Sequence, residues 1–119
     1  MIAGVHAIIF CEDPARARSF FHDVLGFDSV DAGGGWLIFQ LPPAEVAMHP
    51  DAELRPGESR HELYFTCQDL EATMAELRAR GVELVLPVAE ERWGTVVRLK
   101  VPGAGEISLY QPKHPSPLG

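Results

Sequence analysis

At 119 residues the chain is one domain, long enough for a hydrophobic core but too short for two independent ones. Its net charge of −7, from 10 basic and 17 acidic residues with no basic run, opposes a phosphate backbone and argues against nucleic acid as a partner. No apolar stretch approaches the roughly 20 residues needed to cross a bilayer. No charged-then-apolar leader precedes the first strand-like segment either, so the sequence predicts a cytoplasmic, unprocessed chain with no membrane partner.

Residues 2–10 form a β-branched run and are predicted as a buried strand. Asp13-Pro14 then opens a helix, because Asp accepts orphan N–H bonds and Pro loses nothing at the first helical position. Ala17, Phe20, Phe21, Val24 and Leu25 follow at helical spacing, and Gly26 stops the helix. A short strand at 27–31, the Gly33-Gly34-Gly35 turn, a strand at 36–41, a Pro-Pro turn and a strand at 45–49 complete a first unit, about 1–50. Residues 51–60 are polar, contain Pro56-Gly57, and read as a linker.

The second unit, about 61–112, repeats that order. A strand at 61–67 leads to a helix capped by Asp69, with Leu70, Met74 and Leu77 on one face and Gly81 after its end. Strands are predicted at 82–86, 93–101 and 106–111, and the tail 113–119 is expected to fray. The repetition is visible residue by residue. His6, Cys11 and Asp13 answer to Glu62, Cys67 and Asp69 at one constant offset (6 to 62, 11 to 67, 13 to 69), and Gly26 and Trp36 answer to Gly81 and Trp93. The expected fold is therefore α+β: two βαβββ units forming curved mixed sheets around a cleft, with the helices outside. Edges and faces left by the strands predict a homodimer, in which the cleft closes within one chain or by exchange between chains.

Two features are read as structural. Phosphate-binding glycines lie between a strand and a helix, whereas Gly33–Gly35 lie between two strands, so they are a hairpin turn and no nucleotide cofactor is expected. Cys11 and Cys67 share one repeat position near the end of a strand and are expected to be reduced, buried thiols.

Three segments add a resemblance. Residues 20–27 (FFHDVLGF), 67–72 (CQDLEA) and 101–112 (VPGAGEISLYQP) are similar, in order, to segments of the vicinal oxygen chelate superfamily. That group includes glyoxalase I, extradiol dioxygenases, methylmalonyl-CoA epimerase, and the fosfomycin and bleomycin resistance proteins. The resemblance implies a U-shaped cleft and a divalent metal held by the first and fourth strands of each unit. It assigns His6 and Glu62 as metal ligands, although His61 would serve if the register slipped by one. The remaining two ligand positions fall on Val46 and Ser108, which lack ligand chemistry, so the implied site for Zn, Ni, Mn or Fe is degenerate. His49, Glu45 or Glu106 could supply a third donor, but alternation turns His49 and Glu45 away from the Val46 face.

The same alternation places Ile8, Phe10, Tyr64 and Thr66 on one cleft wall with His6 and Glu62, and Trp36, Ile38 and Gln40 on an adjoining wall. Such a mixture, mostly apolar with a few polar handles, suits a small organic ligand. Arg98 and Lys100 alternate with Leu99 and Val101; they are expected either to reach the cleft mouth or to form a solvated strand face. Two functions are compatible with this wall. One is a metal-assisted lyase, isomerase or dioxygenase in which Glu62 shuttles a proton. The other is a binding protein that sequesters an antibiotic-like molecule without chemistry or metal.

Overall fold

The computed structural model describes residues 7, 9, 13–44, 52–56 and 60–115. The expected first strand at 2–10, apart from Ala7 and Ile9, and the expected strand at 45–49 lie outside these residues. So do the candidate site residues His6, Ile8, Phe10 and Val46, together with Cys11, Glu45 and His49.

Helix α1 runs Pro14–Ser19, and the Asp13 carboxylate accepts the Arg16 N–H at 3.1 Å, as its capping role requires. The expected single helix to Leu25 is corrected here. After Ser19 the chain widens into a π-turn over Phe20–Val24, closed by the Leu25 N–H on the Phe20 carbonyl at 3.1 Å. A wider turn brings consecutive side chains closer to one face, and both Phe20 and Phe21 are buried. Two adjacent large apolar residues facing one core are the physical reason for the departure. Gly26, at φ 72°, then reverses the chain without a Cβ penalty.

Strands β1 (Ser29–Asp31) and β2 (Leu37–Phe39) form an antiparallel hairpin in which Val30 pairs with Ile38. The triple glycine is its turn: the Asp31 carboxylate accepts the N–H groups of Gly33 at 2.7 Å and Gly35 at 3.3 Å.

The second unit is complete. Strand β3 (Tyr64–Thr66), helix α2 (Leu70–Ala79), and strands β4 (Leu84–Glu91), β5 (Gly94–Lys100) and β6 (Glu106–Pro112) follow in order. The sheet order is β3-β6-β5-β4, with β3 and β6 parallel and the other neighbours antiparallel. Asp69 caps α2 as Asp13 caps α1, accepting the Ala72 N–H at 3.0 Å, and Gly81 ends it at φ 84°. Repeat-equivalent residues thus do equivalent work. Strand β4 runs five residues past the expected end at Leu86, and its pairing register shifts between Val85 and Ala89. Pro87, which has no N–H to donate, lies in that interval on a strand at the end of the sheet order, where a missing ladder bond is tolerated.

The core lies between the helices and one face of this sheet. Alternate residues Val97, Leu99 and Val101 on one side, with Ile107 and Leu109 beside them, meet Ala17, Phe20, Phe21, Leu70 and Met74. Phe21 packs edge-on or tilted against Phe27, Phe39 and Phe65, tying the β1–β2 hairpin and β3 to the π-turn. Among the described residues, no helix is long and apolar enough to cross a membrane.

Candidate functional site

Among the described residues no helix covers the opposite face of the sheet, and the pairing register sets its residues in rows. Tyr64 lies beside Ser108, and Ser108 beside Arg98, which in turn pairs with Val85. In the next row Thr66 lies beside Tyr110, and Tyr110 beside Val96. On the other side of the Tyr64 row, Glu106 pairs with Lys100.

Three rings gather on this face. Tyr64, Trp93 and Tyr110 contact one another edge to face, with centroids 5.4–6.3 Å apart and planes crossing at 74–85°. Tyr110 is buried beneath them, while Tyr64 and Trp93 remain 40% and 42% exposed. Trp93 comes from the turn between β4 and β5, so two strands and a turn together build one aromatic surface. Large rings that contact one another and still meet solvent offer apolar area at little entropic cost.

Polar groups border the rings. Glu62 forms an ion pair with Arg60, and its carboxylate lies near enough to the Tyr64 phenol to act on its ionisation. Burial, then the Glu62 charge and the hydrogen bond to it, push the Tyr64 phenol above its ordinary pKa; Ser108 and Arg60 oppose the shift. The hydroxyl therefore stays protonated at neutral pH, as a donor. Arg98 pairs with Glu106 at 2.9 Å, and Lys100 with Glu83 at 3.1 Å. Both cations are exposed and carry their own counter-charges, so this border is a set of ion pairs and not a free basic patch.

Tyr64 and Ser108 are paired across β3 and β6 with Glu62 near the Tyr64 phenol, and Thr66 lies one row further on, next to Tyr110. Trp36, Ile38 and Gln40 stand on or beside β2, all exposed, and the Trp36 ring carries the Arg18 guanidinium of α1 at 5.2 Å. Sequence reasoning missed Trp93, Tyr110, Arg60 and His114 as site residues. For Tyr110 a signal existed: it lies two positions after Ser108 on the same strand and so shares its face. For Trp93, in a turn, alternation carries no information.

The metal implied by the resemblance can be tested against the donor set. Of its four positions, His6 and Val46 lie outside the described residues, Ser108 offers a neutral hydroxyl, and Glu62 offers a carboxylate. Among the described residues, no three His, Cys, Asp or Glu side chains converge. The described half of the set thus supplies one carboxylate, already paired with Arg60, and one hydroxyl.

A family model described as the Glyoxalase/Bleomycin resistance protein/Dioxygenase superfamily matches residues 4–103. The uncharacterized protein YetH of Bacillus subtilis (strain 168) is 26% identical over 100 residues, covering 77% of this chain and 83% of its own length. A glyoxalase/bleomycin resistance protein/dioxygenase from Nocardioides is structurally similar, with a TM-score of 0.65 at 16% identity over 98% of this chain and 88% of that one. So is TnmS3, an antibiotic binding protein from Streptomyces sp. CB03234, with a TM-score of 0.57 at 24% identity over 95% of this chain and all of the other (100%). At these identities the structural likeness shows the fold.

Proposed function

Because the chain belongs to the glyoxalase/bleomycin resistance protein/dioxygenase superfamily, we propose that it binds an aromatic small molecule on the helix-free face of its second-unit sheet. The observation that carries this reading is the group of Tyr64, Trp93 and Tyr110, two of whose rings stay exposed although they contact one another. A ligand ring laid on Tyr64 and Trp93 covers apolar surface that folding leaves wet. The Tyr64 hydroxyl, the Ser108 hydroxyl and the Arg98–Glu106 pair give such a ligand polar handles at one edge. TnmS3, which shares the fold, is an antibiotic binding protein, and that is consistent with binding without chemistry.

The test uses Trp93 as the reporter. In a Trp36→Phe background it is the chain's sole tryptophan. Bleomycin and an uncharged planar aromatic dye are the probes. Saturable quenching is expected from at least one of them, lost in Trp36→Phe/Tyr64→Ala. Ligand at about 100 times Kd should also raise stability by about 2.7 kcal/mol. No saturable response from either probe, with no thermal shift, would refute the reading.

A second reading is favoured by the Glu62 carboxylate, which is paired with Arg60 at the border of the aromatic group. There Glu62 moves a proton on a bound substrate, as the enzyme members of the family resemblance imply. Glu62→Gln separates the two: it preserves most affinity under the binding reading and abolishes turnover under the catalytic one.

A further inference from the structure

The chain beyond β6 was expected to fray after Pro112, but Lys113–Pro115 are held against the site. The Lys113 N–H donates to the Trp93 carbonyl at 2.9 Å, extending the ladder one step past the strand. Its ammonium donates to Glu90 Oε2 at 2.8 Å and to the Glu91 carbonyl at 3.2 Å. Glu90 is fixed in turn by the Thr95 hydroxyl at 3.0 Å, and Lys113 first, then Thr95, hold its carboxyl below the ordinary range.

This clamp sets His114 over the aromatic group. Its ring lies 6.0 Å from that of Tyr110, tilted by 36°. Nδ1 is 2.8 Å from the Pro115 carbonyl, which can only accept, so Nδ1 carries the proton. In the neutral ring Nε2 then holds a lone pair, which accepts from the Tyr110 hydroxyl at 3.3 Å. The buried phenol of the aromatic group is thereby satisfied by the tail, and the exposed His114 ring adds a fourth flat surface beside Tyr110.

We infer that His114 is a ligand-contacting, specificity-determining residue, held by the Lys113 clamp as the C-terminal wall of the aromatic site. This rests on the binding reading above. A ligand resting on Tyr64 and Trp93 meets His114 where it borders Tyr110, and because both imidazole nitrogens are already bonded, the class selected is a planar aromatic ring that packs on the imidazole face. The clamp fixes the ring without burying it, so contact with a ligand costs little desolvation.

The experiment measures Kd by Trp93 fluorescence in the Trp36→Phe background, with the same two probes, for His114→Ala, His114→Gln, Lys113→Ala and a chain ending at Pro112. His114→Ala and the truncation should weaken the bound probe about five- to tenfold, the scale of one lost ring contact. Lys113→Ala should weaken it less. His114→Gln, which keeps an acceptor for Tyr110, should recover part of the loss. Melting temperatures should stay close to the parent, because the replaced side chains are exposed. The inference is overturned if His114→Ala and the truncation bind as the parent does while Tyr64→Ala has lost binding. If neither probe binds the parent, or Tyr64→Ala binds normally, the binding reading fails and takes this inference with it.

Discussion

Leu99 and Arg98 are neighbours on β5 that point to opposite faces, and replacing each with alanine tests the two-faced sheet on which the site depends. Leu99 is 1% exposed, in the core beside Val97 and Leu109. Removing its side chain deletes buried methylene groups and leaves a cavity between sheet and helices, at a cost of about 3 kcal/mol within the usual 2–5. For a domain of this size each kcal/mol shifts the melting temperature by roughly 4 °C, so a fall of about 12 °C is expected. Arg98 differs. Its side chain is 57% exposed and pairs with Glu106, whose side chain is 34% exposed, so Arg98→Ala should cost about 1 kcal/mol or less. Thermal and urea unfolding measure both, and an unchanged urea slope confirms that the same transition is compared. Below its melting temperature, Leu99→Ala should bind the aromatic probes with near-parental affinity. Equal losses of stability from the two variants would refute the face assignment.

Three further outcomes follow from the geometry. Tyr64 has a folded-state pKa raised above its unfolded value, so its contribution to stability is complete below about pH 10 and is lost as pH rises through the folded value. The tyrosinate absorbance missing from Tyr64→Phe should therefore titrate above pH 10, and a midpoint below 10 would contradict the surroundings assigned to this phenol. The donor set predicts that Zn, Ni, Mn or Fe added to chelator-treated protein leaves the melting temperature nearly unchanged; a concentration-dependent rise abolished by His6→Ala would reinstate the metal site. The chain is expected to form a homodimer, with Leu86, 58% exposed on terminal strand β4, at or near the contact. A monomer by light scattering at micromolar concentration would refute that.

The parts of the fold that were legible in the sequence are those set by local chemistry. Asp13 and Asp69 at matching caps, Gly26 and Gly81 at matching helix ends, and the Asp31-anchored glycine turn each carry a conformational preference strong enough to act in isolation. What was not legible depends on contacts between distant segments. Nothing within Phe20-Phe21 announces a π-turn, because the cause is a core supplied by Leu70, Val97 and Leu109. The overrun of β4 past Pro87 is likewise decided by the partner strand, since β5 offers pairing up to Glu91 opposite Gly94.

The site divides in the same way. Alternation carried Tyr64 and Thr66 to one face, because a strand's two-residue period needs no tertiary information, while Ser108 came from the family resemblance. Trp93 and His114 have no such period. One lies in a turn and the other follows the last strand, and they reach Tyr110 only because β5 and β6 are paired down to Gly94 and Pro112. That pairing brings the Lys113 N–H to the Trp93 carbonyl and fixes both side chains at one end of the sheet. The aromatic surface is thus a product of strand register, and its turn and tail residues can change the ligand without touching the core that holds the register in place.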